Sequence, residues 1–138
     1  MVRLARLADV DFIYGFVCEL EATVFDRNIF INNFEQVLTN PHSIVIVAEV
    51  DEQVVGYASC FSQVLLHHNG RVGEIQEVFV NAERRGKSIG KILVRAIEEY
   101  AQKKQWIGLE VCANMRRTHT HRFYLDQGFE QTHYKFTK

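Results

Sequence analysis

At 138 residues with 47% hydrophobic content, the chain suits one domain with a packed core, residues 1–138, and no Pro/Gly/Ser-rich stretch or charge block marks a linker. A formal net charge of -1 and a pI near 6.6 give no overall field for nucleic acid or a membrane surface, so any anion site must be local. Cys18, Cys60 and Cys112 are odd in number and far apart, and neither an apolar leader nor an uncharged membrane-length stretch is present, so the expectation is a soluble cytoplasmic protein without a disulfide framework.

In chain order, Val2 to Leu7 alternate as an opening strand, and Asp9 is an N-cap candidate for a helix carrying Phe12, Ile13, Phe16, Val17 and Leu20. A second helix is expected from Ile29 to Leu38, stopping before Asn40-Pro41. "SIVIVAEV" and "VVGYASCFSQVLL" are strands joined by Asp51-Glu52-Gln53, an antiparallel hairpin, and "RVGEIQEVFV" follows after His67-His68-Asn69-Gly70. Then comes a basic loop, Arg84-Arg85-Gly86-Lys87, entering a helix whose Ile89, Ile92, Leu93, Ala96, Ile97 and Tyr100 fall at the 3.6-residue period. A strand at "WIGLEVCA", a helix from Thr118 to Gln127 closed by Gly128, and a last strand at "FEQTHYKFT" complete the order β-α-α-β-β-β-α-β-α-β, a mixed α/β (α+β) pattern.

The loop fits neither common nucleotide motif. A Walker loop needs a glycine five positions before its Gly-Lys pair, and Asn81 and Arg85 stand there. A dinucleotide fingerprint needs three spaced glycines after a first strand, whereas this stretch holds Gly86 and Gly90 past mid-chain. What remains is a basic loop feeding a helix N-terminus, whose free N–H groups and positive dipole end suit a phosphate or pyrophosphate.

The element order, this loop directly after a strand, and Asn114 followed by "HRFYLDQGFE" together resemble the GNAT family of acetyl-CoA-dependent N-acetyltransferases over nearly the whole chain. The family's loop, Arg/Gln-x-x-Gly-x-Gly/Ala, falls on Arg85-Gly86-Lys87-Ser88-Ile89-Gly90, with Ser88 at the first motif glycine. A serine there presents its N–H, and its hydroxyl is available to cap the helix or touch a phosphate, but a positive φ would strain it. "CELEATVFD", "HHNGRVGEIQEVFV" and "HRFYLDQGFEQTHYKFTK" resemble more narrowly the aminoalkylphosphonate N-acetyltransferases.

The resemblance implies a GNAT fold, with a central, mostly antiparallel twisted sheet and a splayed strand pair that admits the pantetheine arm of acetyl-CoA. It implies coenzyme contacts from Val78, Phe79 and Val80, from Arg85, Gly86, Lys87, Ser88, Ile89, Gly90 and Lys91 around the pyrophosphate, and from Asn114 on the pantetheine side or on a structural water. The implied acceptor is a small-molecule primary amine bearing a phosphonate, and a homodimer is a family habit.

Acetyl transfer to an amine needs a neutral nitrogen, a stabilised oxyanion and a proton for the departing thiolate. Glu77 is the candidate base: alternation sets Ile75, Glu77 and Phe79 on one strand face and Gln76, Val78 and Val80 on the other, so a carboxylate interrupts an apolar face. The blander reading of Glu77 is a partner for an arginine. Tyr124 matches the family's usual acid, and its blander reading is a core aromatic with a satisfied hydroxyl. Cys112, in an apolar strand, reads as inert packing. No metal is expected, because His67-His68 and His119-x-His121 lack the helical spacing of a zinc pair; Arg116, Arg117, His119, His121 and Arg122 are candidate cations for an anionic substrate.

Three further readings stay open. An aminoglycoside or polyamine acetyltransferase would line its cleft with carboxylates, for which Asp26, Glu74, Glu77 and Glu110 are available. A protein-lysine acetyltransferase is another, and a non-catalytic acetyl-CoA-binding sensor would keep the loop and lose the acid or base.

Overall fold

Ser43–Val50 (β2) and Gln53–Leu65 (β3) form the hairpin that their β-branched alternation dictates, and the reversal places Asp51 and Glu52 at φ 51° and 62°, the left-handed pair of a tight turn. In this computed structural model, which describes residues 1–138, Val2–Leu4 (β1) pairs antiparallel with β2, and Gly70–Val80 (β4) pairs antiparallel with β3. Gly108–Val111 (β5) lies parallel to β4, giving one sheet in the order β1-β2-β3-β4-β5.

Helices Val10–Glu21 (α1) and Arg27–Thr39 (α2) cover one face, packing Ile13, Phe16 and Phe34 onto Val45, Val47, Tyr57 and Phe79. Ile89–Lys103 (α3) covers the other, and its Leu93, Val94 and Ile97 are fully buried against Ile46, Ala58 and Ile75. Each of those three side chains is worth about 1.5–3 kcal/mol of burial, so the period read in the sequence is what seats this helix. Thr118–Asp126 (α4) adds Tyr124 to the same core. No helix is long and apolar enough to cross a membrane.

Asp9 stands at the N-cap position of α1, but its carboxylate does not cap that helix. It accepts from the Arg6 N–H at 2.8 Å and from the Arg3 guanidinium at 2.8 and 2.9 Å, while Arg3 also reaches Glu49 at 2.6 Å. One arginine thereby ties β1 to β2 and to the turn before α1. The second helix starts earlier than Ile29, at Arg27, because Asp26 caps it by accepting from the Ile29 N–H at 2.9 Å.

Two expectations are corrected. Residues 129–137 form no strand: the tail is exposed from Glu130 onward, with Tyr134 82% and Phe136 91% accessible. Strand propensity describes a side chain's fit to a pleated surface and does not provide the neighbouring edge that a strand must bond to. The second correction lies in β4. Ser59 faces Glu77 while Cys60 faces Ile75, so Gln76 is an extra residue, a β-bulge. Ile75 therefore packs with α3, whereas Phe79 packs with α1, and Glu77 shares the Phe79 face rather than the Ile75 face.

Candidate active site

The pairing of β5 with β4 runs from Val72 to Ile75 and stops there, immediately before the bulge. A bulged strand bends, and from Gln76 to Val80 the β4 edge that faced β5 has no strand beside it. The Asn81 N–H bonds to Val55 O at 2.8 Å, so by the two-residue alternation Phe79 and Glu77 direct their backbone groups toward β3, and Val78 and Val80 direct theirs into the gap. Val80 O is already met by Arg85 Nε at 3.0 Å.

Beyond the gap, Asn81 and a short 3-10 turn, Ala82–Arg84, lead into the basic loop. Gly86 (φ 77°) and Ser88 (φ 62°) both adopt left-handed conformations. For Ser88 this costs roughly 1–2 kcal/mol, and its hydroxyl makes no cap bond, so the capping expectation for it does not hold. Ile92 is the first residue whose N–H closes back onto the helix, at 3.0 Å from Ser88 O, and every N–H from Gly86 to Lys91 lacks a protein acceptor. A run of unpaired donors at the start of a fifteen-residue helix, flanked by Lys87 and Lys91, is a ready anion cradle. At Gly90 a Cβ would meet the Phe123 ring at 3.4 Å, so the residue lets the helix start lie close against α4.

Glu77 lies on the α1 side of β4, half-buried, with the Ser59 hydroxyl donating to its Oε2. It makes no ion pair with an arginine, and burial first, then the charge of Glu21, lifts its carboxyl above the ordinary range against the opposing effect of Ser59. A carboxylate so raised is a better base than a free one. Asp26 is occupied capping α2, and Glu110 lies 3.8 Å from His68.

Tyr124 sits on the opposite side of the sheet, 8% exposed, its ring edge-on to Phe123 at 5.1 Å and to Phe129 at 5.6 Å. Its hydroxyl has no protein partner, and burial pushes the phenol up to about 12. Glu77 and Tyr124 thus lie on opposite faces of the sheet, one on the α1 side and one in the α3-side core.

The remaining candidates are placed as follows. Arg85 turns its guanidinium over the Phe79 ring at 5.4 Å, on the face of Glu77, and 3.9 Å from Glu19. Asn114 accepts from the Arg116 N–H at 2.9 Å, and its carbonyl meets His121 Nε2 at 2.7 Å, so it builds the turn into α4. Cys112 is exposed just past the end of β5 rather than packed. Ser59 and Tyr57, neighbours of Glu77 and Phe79 across the β3–β4 ladder, carried no signal in a strand reading as apolar. The Tyr57 hydroxyl is buried without any partner.

The acetyltransferase (GNAT) family model matches residues 4–129, and the chain belongs to that family. It is 36% identical over 137 residues to an aminoalkylphosphonate N-acetyltransferase of Salmonella typhimurium, covering 99% of this chain and 89% of the relative. Among solved structures, a transcriptional regulator from Bacillus halodurans superposes with a TM-score of 0.92 at 19% identity, covering 100% of this chain and 97% of that one. An aminoglycoside N-acetyltransferase in complex with CoA superposes at 0.89 with 18% identity, covering 100% and 92%. At such identities these two show the shared fold. The protein is a GNAT acetyltransferase, an enzyme of acetyl transfer from a coenzyme A thioester to an amine.

Proposed function

We propose that this enzyme acetylates the amine of a small aminoalkylphosphonate, with acetyl-CoA as donor. The observation that carries the reading is the unpaired β4 edge at Val78 and Val80, followed by the free N–H groups of the loop, with Glu77 on the α1 face of the same sheet and Tyr124 in the core of the other. Gly86 to Lys91 hold the pyrophosphate, and Val78 and Val80 bond the pantetheine amides as an added strand would. The phosphonate half of the proposal is supported by the Salmonella relative and by Arg85, a cation on the Glu77 face.

An alkylammonium has a pKa near 10, so Glu77 first takes its proton, and the freed nitrogen lone pair attacks the thioester carbonyl. The Val78 N–H polarises that carbonyl oxygen as charge develops on it. Tyr124, at about 12, stays protonated at neutral pH. Full transfer from it to a thiolate whose thiol has a pKa near 8.5 is uphill, so its part is to donate a hydrogen bond to sulphur as the carbon–sulphur bond breaks, while the second proton of the attacking nitrogen, released as the tetrahedral adduct collapses to the amide, passes through solvent to the thiolate.

Thiol release from acetyl-CoA across aminoalkylphosphonates, aminoglycosides, polyamines and lysine peptides tests the reading. A 1-aminoethylphosphonate is expected to exceed its matched alkylamine in kcat/KM by roughly ten- to a hundredfold, the scale of one charge-assisted hydrogen bond. Equal values would remove the phosphonate and leave acetyl transfer standing.

A further inference from the structure

We propose that Ser59 is the positioning residue of Glu77: its hydroxyl occupies Oε2 of the carboxylate and leaves Oε1 as the one oxygen free to receive the acceptor's proton. This deepens the reading of Glu77 as base and rests on it.

The pairing follows from the backbone. Because Gln76 is bulged out, Glu77 comes directly opposite Ser59, and both point to the α1 side between the Tyr57–Phe79 pair and the bulge. Ser59 is 8% exposed, and its hydroxyl is the sole protein donor to Glu77. A half-buried carboxylate held by nothing would swing between rotamers, and either oxygen would meet the amine in a different orientation. With Oε2 engaged, the N–H bond of the ammonium breaks as the O–H bond forms at Oε1, the positive charge on nitrogen and the negative charge on Glu77 cancel together, and the nitrogen pair is freed in one direction.

The same hydrogen bond limits how far burial can raise the base. The other groups on this face are Glu21, from the end of α1, Tyr57, on β3, whose phenol is buried and neutral, and Arg85, whose guanidinium lies over Phe79 and is turned to Glu19 at 3.9 Å; no cation pairs with Glu77. Glu21 and burial both favour the protonated carboxyl, and Ser59 alone favours the carboxylate. Loss of the hydroxyl therefore leaves Glu77 protonated to higher pH.

Ser59→Ala tests this in two ways. Carbon NMR titration of the glutamate carboxyls in the unliganded protein, with Glu77 assigned by Glu77→Gln, is expected to show the Glu77 midpoint rising by roughly one pH unit. The acid limb of kcat/KM, measured with whichever amine of the panel turns over fastest, should rise equally. Acetyl-CoA affinity should stay as it is, and Ser59→Thr, which restores a hydroxyl, should return both midpoints toward native. An unmoved Glu77 midpoint in a folded Ser59→Ala protein overturns the proposal. Full activity in Glu77→Gln would instead overturn the role of Glu77 itself, and the titration needs no substrate, so the two failures are told apart.

Discussion

The proposed reaction makes opposite demands on Tyr124 and Glu77, one on a buried phenol that must stay protonated and one on a carboxylate that must not. Burial raises both groups, which helps the phenol and hinders the carboxylate at low pH. Tyr124→Phe keeps the ring between Phe123 and Phe129 and removes only the donor. Single-turnover acetyl transfer is expected to fall by roughly 10²- to 10³-fold, the usual effect of losing one donor to developing charge, while acetyl-CoA affinity changes little. Unchanged single-turnover rates would return Tyr124 to a purely packing role.

The loop and the start of α3 act together, since the unpaired N–H groups exist only where a left-handed turn meets a helix. Gly90→Ala adds a methyl at van der Waals contact with Phe123 and is expected to keep the acetyl-CoA-induced rise in melting temperature. Gly90→Glu starts a longer side chain toward Phe123 and Val80 and adds a negative charge in the first turn of α3, beside the unpaired N–H groups, and should abolish that rise. Calorimetry of both variants with and without acetyl-CoA decides it; a native-like shift in Gly90→Glu would move the coenzyme phosphates elsewhere. Much of this was legible in the sequence. The helix face of Leu93 and Ile97, the hairpin at Asp51-Glu52 and the glycine closing α4 follow from period and turn chemistry. The bulge at Gln76 did not show, because an extra residue in one strand is defined by its partner strand and leaves strand composition unaltered. Ser59 was hidden for the same reason: its importance lies in what stands across the ladder from it. The tail after Phe129 has strand-like alternation and lacks a bonded edge, which composition does not reveal.

The whole molecule is closed at its first strand by Arg3, whose guanidinium is shared between Asp9 and Glu49. Asp9→Asn leaves that guanidinium with one of its two counter-charges and is expected to reduce unfolding free energy at neutral pH by roughly 3 kcal/mol. Arg3 first, through its hydrogen bonds, holds the Asp9 carboxyl below its ordinary value. The stabilisation is therefore complete above the unfolded carboxyl's pKa of about 3.9 and disappears as pH falls through the lower folded one. Urea unfolding at pH 7 and again near pH 3 should show a large gap between native and variant that has begun to narrow in acid, since pH 3 lies below the unfolded pKa; a constant gap would mean that packing, not charge, is lost. This ion cluster ties one edge of the sheet, and the proposed site lies toward the other. Between them, the extra residue at Gln76 sits where β4 parts from β5. Without it, Ile75 and Glu77 would keep their partners on β3 and their faces, and the strand would lose only its bend. Cys112 and Ala113 would then be free to continue β5 along β4 and close the gap in which the pantetheine is proposed to lie. Removing one in-frame codon, that of Gln76, is thus expected to seal the sheet while keeping its core, and loss of the acetyl-CoA-dependent melting shift in a folded deletion variant would register it.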